Sequence, residues 1–230
     1  MTSRASDPCA QMHALTAQML GPEFAVQVCD PRAAQPILMP HEDAHLGRAT
    51  AARRAEFAAG RHMARRALAT LGGPQTAIPA GEDRAPQWPA GWRGSISHSN
   101  LLCIAAVTAA PYDLGVDLEP DSPMDSNLVA TICSNEEVAR IAGPERLERA
   151  TLIFAAKEAA YKAQYPRTGL LFGFDHLDIS LNLAAQRFTA TFIKPAGCFA
   201  VGDSLLGCFG RAAGHLVTTV VIGQGGVKGS

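Results

Sequence analysis

A chain of 230 residues and 24.2 kDa holds one large domain or two small ones, with ample length for a hydrophobic core. At 47% hydrophobic and 18% charged residues it is globular, not disordered. A formal net charge of -1 excludes a general polyanion-coating protein, whose affinity comes from surplus Lys and Arg. The six cysteines (Cys9, Cys29, Cys103, Cys133, Cys198, Cys208) are scattered, with no C-x-x-C pair, so reduced thiols are expected. No signal-peptide core follows the N-terminus. The longest uncharged stretch, Gly94–Tyr112, holds serines, His98, Asn100 and Pro111, which disqualifies it as a membrane span. A cytoplasmic protein without a membrane span is expected.

Phe24–Val28 alternates weakly and ends at Asp30-Pro31, as an early strand does. Thr50 to Leu71 is helical in period and is ended by Gly72-Gly73-Pro74. A turn-rich segment from Pro79 to Gly91 leads into Gly94-Ser-Ile-Ser-His-Ser and the apolar run Leu101–Val107, which is strand material. Leu114–Leu118 is another short strand. Ser134-Asn-Glu-Glu137 has capping-box spacing and opens a helix that Gly143-Pro144 closes. Arg146–Gln164 is the second long helix. Leu177–Leu183, Phe188–Ile193 and Leu216–Ile222 are strand-like. Each half thus mixes one long helix with several strands, with a seam at Tyr112-Asp113 that gives units 1–112 and 113–230.

Charge is segregated along this order. Between Arg48 and Arg66 lie six arginines against one acid, Glu56; between Asp113 and Asp125 lie five acids and no basic residue. Either these are two solvated faces of opposite sign, or an anion is held beside a cation site. In Gly115-Val-Asp-Leu-Glu119 a strand points Asp117 and Glu119 to one face, about 7 Å apart. Two such carboxylates are unfavourable without a counterion, and Mg²⁺ takes one or two protein carboxylates and completes its octahedron with water and phosphate oxygens. On the second long helix Glu158 and Lys162 lie one turn apart, and Lys157 and Lys162 are two of only four lysines in an Arg-rich chain. On the first, Arg53 and Arg61 flank the apolar stripe of Phe57, Ala64 and Leu68 instead of lying opposite it, where Arg66 falls. They can snorkel from that margin, or reach across it to hold a phosphate by forked hydrogen bonds. Ser97 and His98 point apart on a strand and no G-x-S-x-G elbow occurs, so anion binding suits this segment better than nucleophilic catalysis.

In this order, Arg53-x3-Phe57-x2-Gly60-Arg61, Trp88-Pro89 with Gly94-Ser-Ile-Ser-His98, Gly115-Val-Asp-Leu-Glu119 and Phe154-x2-Lys157-Glu158-x3-Lys162 resemble the 4'-phosphopantetheinyl transferases, especially the siderophore-associated subgroup of the enterobactin type. The resemblance covers Phe24 to Phe192. It implies an α+β fold of two similar α/β halves related by a pseudo-twofold axis, each a small sheet packed with a long helix, with coenzyme A bound between them. It implies transfer of the phosphopantetheine arm of coenzyme A to a serine of apo acyl, peptidyl or aryl carrier proteins, releasing 3',5'-ADP. By the same resemblance Asp117, Glu119 and Glu158 hold Mg²⁺ (Mn²⁺ the alternative), and Glu158 takes the serine proton directly or through water. Lys162 contacts a phosphate in the transition state, and Lys157 lies with it on the cofactor side. Arg53, Arg61 and His98 hold the 3'-phosphate, Arg84 stands near the adenosine, and Ser97 helps with the nucleotide. Glu137 matches a family position that its capping box already explains. A monomer working without nucleic acid is expected.

Two other readings compete. His41-Glu42-Asp-Ala-His45 satisfies the H-E-x-x-H pattern of zinc peptidases, but Pro40 begins a helix where one would have to continue, and Gly47 comes one residue early for the extended zincin spacing. A catalytically idle coenzyme A or nucleotide binder would keep the Arg/His residues and lose the carboxylates, and here all three carboxylates are present.

Overall fold

The structure is a computed structural model that describes residues 7–44 and 46–223. The chain divides into two compact units between Pro111 and Tyr112.

The first unit opens with helix α1 (Pro8–Leu20), capped by Asp7, whose carboxylate accepts from Cys9 N, and begun by a proline. It packs on strand β1 (Ala25–Cys29). Helix α2 (Ala51–Thr70) is capped by Thr50, whose hydroxyl accepts from Arg53 N. Strands β2 (Arg93–His98) and β3 (Cys103–Thr108) complete an antiparallel sheet in the order β1-β3-β2. In its register Cys103 stands opposite both Cys29 and His98, and Ala105 opposite Gln27 and Ile96. Residues opposite one another share a face. This row of the sheet meets α2, where Met63, Ala64, Ala67 and Leu68 pack on Ala25, Ala105 and Val107.

The second unit begins with strand β4 (Tyr112–Pro120). Two short helices follow, α3 (Ser126–Ile132) and α4 (Asn135–Arg140); Ser134 and Glu137 close a reciprocal capping box at the start of α4. Helix α5 (Arg146–Thr168) is next, then a 3₁₀ turn over Phe174–His176. Strands β5 (Leu177–Asn182), β6 (Arg187–Phe192), β7 (Ser204–Ala212) and β8 (His215–Gly223) form successive hairpins, and β4 pairs with β8, giving the antiparallel order β4-β8-β7-β6-β5. α5 lies across β4 and β8. Past the buried Leu152 and Ile153 its inward side is rich in alanine (Ala155, Ala156, Ala159, Ala160, Ala163), which lets the helix come close to the sheet. It runs on through Pro166, past Gln164 where the sequence suggests an end. Gly169 terminates it in the left-handed region at φ 62°. Arg167 ties this last turn down through Asp113 and the carbonyls of Ile222 and Gly223.

Both units therefore pack one long helix on one antiparallel sheet, an α+β architecture with three strands in one sheet and five in the other. The charge runs resolve the same way. Of the five acids between Asp113 and Asp125, Asp113 pairs with Arg167, Asp121 with Arg211, and Asp125 caps α3. The other two, Asp117 and Glu119, lie further along β4.

Candidate active site

Along β4 the odd positions face α5. Asp113 meets Arg167, Gly115 lies under Ala159 and Ala163, and Asp117 meets Lys162. Val116 and Leu118 are fully buried on the other face. Lys162, one turn on from Glu158, donates to Asp117 Oδ1 at 2.6 Å and to the Val116 carbonyl at 3.2 Å. Asp117 is buried while Lys162 keeps about a quarter of its side chain in solvent. Glu119 and Glu158 are half-buried, and their carboxylates make no hydrogen bond or ion pair with any described residue. Burial first, then the charges of Asp117 and Glu158, push the Glu119 carboxyl up to about 7, against the pull of Lys162. Burial and Asp117 likewise raise Glu158, again opposed by Lys162.

The three carboxylates thus lie in one another's field with a single ammonium among them. Such a set is short of positive charge, and its hard oxygen donors suit Mg²⁺, which needs only one or two of them beside water and phosphate oxygens. It is no closed protein cage: no three His, Cys, Asp or Glu of the described residues are grouped to hold a metal by themselves.

Beside Glu158 opens a cleft of about 190 Å³ lined by Lys157, Glu158, Tyr161, Phe172, Gly173, Phe174 and Leu177. Tyr161 meets the Phe172 ring edge-on at 5.3 Å, and Phe154 holds the Phe174 ring at 5.6 Å. An apolar slot ending at a carboxylate can take a flexible, mostly apolar chain and leave its polar end at Glu158. The Phe172/Phe174 wall is absent from the sequence-derived site. Its signal is the apolar cluster Leu170-Leu171-Phe172-Gly-Phe174 just past the Gly169 cap.

In the first unit, Arg53 Nη1 lies 2.7 Å from His98 Nε2, and Glu56 Oε2 lies 3.4 Å from Arg53 Nη1 and 3.6 Å from His98 Nδ1. A guanidinium only donates, so His98 Nε2 accepts with its lone pair. Arg61 is buried instead of marginal. Its Nε donates to the Ile78 carbonyl at 2.6 Å and its guanidinium lies 4.2 Å over the Phe57 ring. Its other nitrogens make no hydrogen bond with described residues, and burial pulls the group down to about 10. The neighbouring acid that could neutralise it, Glu42, is already paired with Arg65. Arg54 is spent on the carbonyls of Leu46 and Gly47. Arg53 and Arg61 thus remain to attract an anion. Ser97 is buried on the sheet face opposite His98, and Arg84 sits on an exposed turn at φ 68° without a hydrogen bond from its side chain to described residues.

Comparison with known proteins bears on this arrangement. Residues 41–108 match the family model of the 4'-phosphopantetheinyl transferase N-terminal domain, and residues 113–220 that of the 4'-phosphopantetheinyl transferase superfamily. The chain is 38% identical over 194 residues to 4'-phosphopantetheinyl transferase Svp of Streptomyces mobaraensis, covering 80% of this chain and 78% of that protein. The chain belongs to the 4'-phosphopantetheinyl transferase superfamily. It is also 33% identical to PptT of Mycobacterium tuberculosis over 175 residues (74% of this chain, 76% of that one). With enterobactin synthase component D of Escherichia coli K12 it shares 37% over 149 residues (63% and 69%). As a 4'-phosphopantetheinyl transferase it is an enzyme of a family that draws its group from coenzyme A and loads carrier proteins.

One sequence-derived assignment in this phosphopantetheinyl transferase needs correction, and the structure also bears on the zinc-peptidase alternative. Lys157 does not offer its ammonium to a cofactor: it is buried, and its three N–H groups go to Glu137 Oε2 and to the carbonyls of Ile132 and Phe174. The H-E-x-x-H reading also fails. Residues 41–44 form a turn, His41 has φ 72°, and Glu42 is buried, accepting from Arg65, Met39 N and Ile78 N. A carboxylate so occupied cannot serve as the general base of a zinc peptidase. His45 lies outside the described residues.

Proposed function

We propose that this transferase moves the 4'-phosphopantetheine arm of coenzyme A onto a serine of apo acyl, peptidyl or aryl carrier domains in a Mg²⁺-dependent reaction that releases 3',5'-ADP. The observation that carries this reading is the Asp117–Lys162 ion pair beside two hydrogen-bond-free carboxylates, Glu119 and Glu158, at the end of an apolar cleft. The arm lies in that cleft against Tyr161, Phe172 and Phe174. Glu158, whose raised proton affinity suits a base, takes the serine proton directly or through a water. The serine Oγ forms a bond to the β-phosphorus as the bond to the bridging oxygen breaks, and the electron pair leaves on the 5'-phosphate of 3',5'-ADP. Lys162 follows the phosphate charge that grows in this step. When bound, Mg²⁺ (or Mn²⁺) on Asp117, Glu119 and Glu158 supplies charge neutralisation at the pyrophosphate oxygens.

Arg53, Arg61 and His98 take the 3'-phosphate, a role favoured by the lack of a counterion for Arg61 and by the exchangeable contacts of Arg53 with Glu56 and His98. Arg84 and Ser97 are assigned to the adenosine side. The likeness to enterobactin synthase component D supports carriers of siderophore or other nonribosomal peptide synthesis as acceptors. We place the reaction in the cytoplasm, in a single chain. The test is mass spectrometry of a panel of apo carriers incubated with coenzyme A, Mg²⁺ and the protein. One or more must gain the mass of the arm, and no gain on any carrier with folded protein would falsify the reading.

A further inference from the structure

Lys157 and Glu137 lie next to the reacting groups, yet neither polar end faces the cleft. Both are almost wholly buried. The Lys157 ammonium bonds to the Ile132 carbonyl at the end of α3 (2.9 Å), to Glu137 Oε2 on α4 (2.8 Å) and to the Phe174 carbonyl in the 3₁₀ turn (2.9 Å). Glu137 accepts in turn from Ser134 N (2.8 Å) and, through Oε1, from Ile179 N on β5 (2.7 Å). Every donor of the ammonium and both carboxylate oxygens are engaged. A buried ion pair is a poor source of net stability, because desolvation consumes most of its attraction. What this pair does have is reach: it joins α3, α4, α5, the 3₁₀ turn and β5. The bond to Phe174 is telling, since the cleft is lined from α5 by Glu158, Tyr161 and the stem of Lys157, and from the segment after α5 by Phe172, Gly173, Phe174 and Leu177.

The geometry points to Glu137 and Lys157 as a positioning pair that fixes the spacing of the cleft's two walls and so seats the pantetheine arm with its phosphate end at Glu158. The pair acts on the donor through Phe174 and touches none of it. This rests on the reading that the cleft receives the arm.

The test uses the full chain with Glu137→Gln and Lys157→Met. The readouts are KM for coenzyme A and kcat at saturating apo carrier, and inhibition constants for pantetheine and for 3',5'-ADP. A wall that has lost its tether raises KM and weakens pantetheine about tenfold, the effect of losing a hydrogen bond to a buried charge, and leaves 3',5'-ADP within about twofold. Glu137→Gln is decisive by sign. If Lys157 gripped a donor phosphate directly, freeing its ammonium from Glu137 would leave KM unchanged or lower it, and that overturns the proposal. So does a loss of 3',5'-ADP affinity in Lys157→Met equal to the loss for coenzyme A. Glu137→Asp, which keeps the charge and shortens the reach, gives an intermediate KM and serves if Glu137→Gln does not fold. A wild-type protein that neither transfers nor binds 3',5'-ADP would instead sink the function on which the proposal rests.

Discussion

Gly115 on β4 lies so close to α5 that a Cβ there would stand 1.9 Å from the Ala159 carbonyl oxygen and 2.7 Å from the Ala163 nitrogen. Both are backbone atoms and cannot swing aside. The glycine therefore sets how near the helix comes to the strand, and with it whether Lys162 reaches Asp117, two residues further along β4. Gly115→Ala must push α5 outward. Overpacking a tight core costs about 1–3 kcal/mol, and a backbone clash puts this substitution at or above the upper figure. Urea unfolding measures that cost. Transferase activity of the remaining folded protein is expected to fall further than the folded fraction does, because the carboxylate–lysine geometry goes with the helix.

The Arg53–His98 contact is the second relationship whose removal has a distinct signature. If they hold the 3'-phosphate, Arg53→Ala and His98→Ala each raise KM for coenzyme A about 10- to 100-fold, the worth of a charge-assisted hydrogen bond. For 3'-dephospho-coenzyme A the same variants change little. Steady-state kinetics with both donors thus shows the wild type discriminating and the variants not. Retained discrimination would remove these residues from that role.

Much of this arrangement is legible in the chain, and what is not follows from pairings across it. The Gly-x-Asp-x-Glu alternation places Asp117 and Glu119 on one strand face, and the helical period places Glu158 one turn from Lys162. That Lys162 hydrogen-bonds Asp117 across the fold depends on the crossing of α5 over β4, which no local spacing encodes. Lys157 illustrates the same limit. Its scarcity value as a lysine suggests a ligand contact, whereas the fold buries it on Glu137, whose capping box is visible and whose other bonds are not. The strand β7 escapes notice because Gly207 and Gly210 depress its strand character. Gly207 is there since the ring of Phe188, its partner on β6, lies where a Cβ would be, 2.1 Å away. The six-arginine run overstates the anion site for a related reason: Arg54 and Arg65 are consumed by loop carbonyls and by Glu42.

Removing the charges at the site separates chemistry from folding. The Glu158 carboxylate has no hydrogen bond with described residues, so Glu158→Gln is expected to fold like the wild type yet, on the proposed roles of base and metal ligand, lose at least ~100-fold in kcat/KM. Asp117→Ala abolishes transfer too, but also strands the Lys162 ammonium and lowers stability by about 1–3 kcal/mol. On the proposed Mg²⁺ dependence, chelation by EDTA is expected to silence the wild type and added Mg²⁺ to restore it. Carrier mass spectrometry and urea unfolding on the same samples make the comparison.

Glu119 gives stability a pH dependence of definite sign. Its carboxyl titrates near 7 in the fold against an ordinary 4.5, chiefly because burial disfavours the charge. Between those values the folded chain binds more protons at this site than the unfolded one, so this contribution to stability is greatest below pH 4.5 and falls as pH rises through 7. The full shift corresponds to ~3 kcal/mol, which solvent screening of a half-buried group cuts to about 1. In EDTA, Glu119→Gln removes this titration. The stability difference, variant minus wild type, should therefore grow by about 1 kcal/mol from pH 5 to pH 8 in urea unfolding. Added Mg²⁺ should reverse the trend, stabilising the wild type most at pH 8, where the carboxylates are charged, and the variant less. A difference curve flat from pH 5 to 8 would show that Glu119 is not held in the low-dielectric, like-charge surroundings that its place beside Asp117 and Glu158 implies.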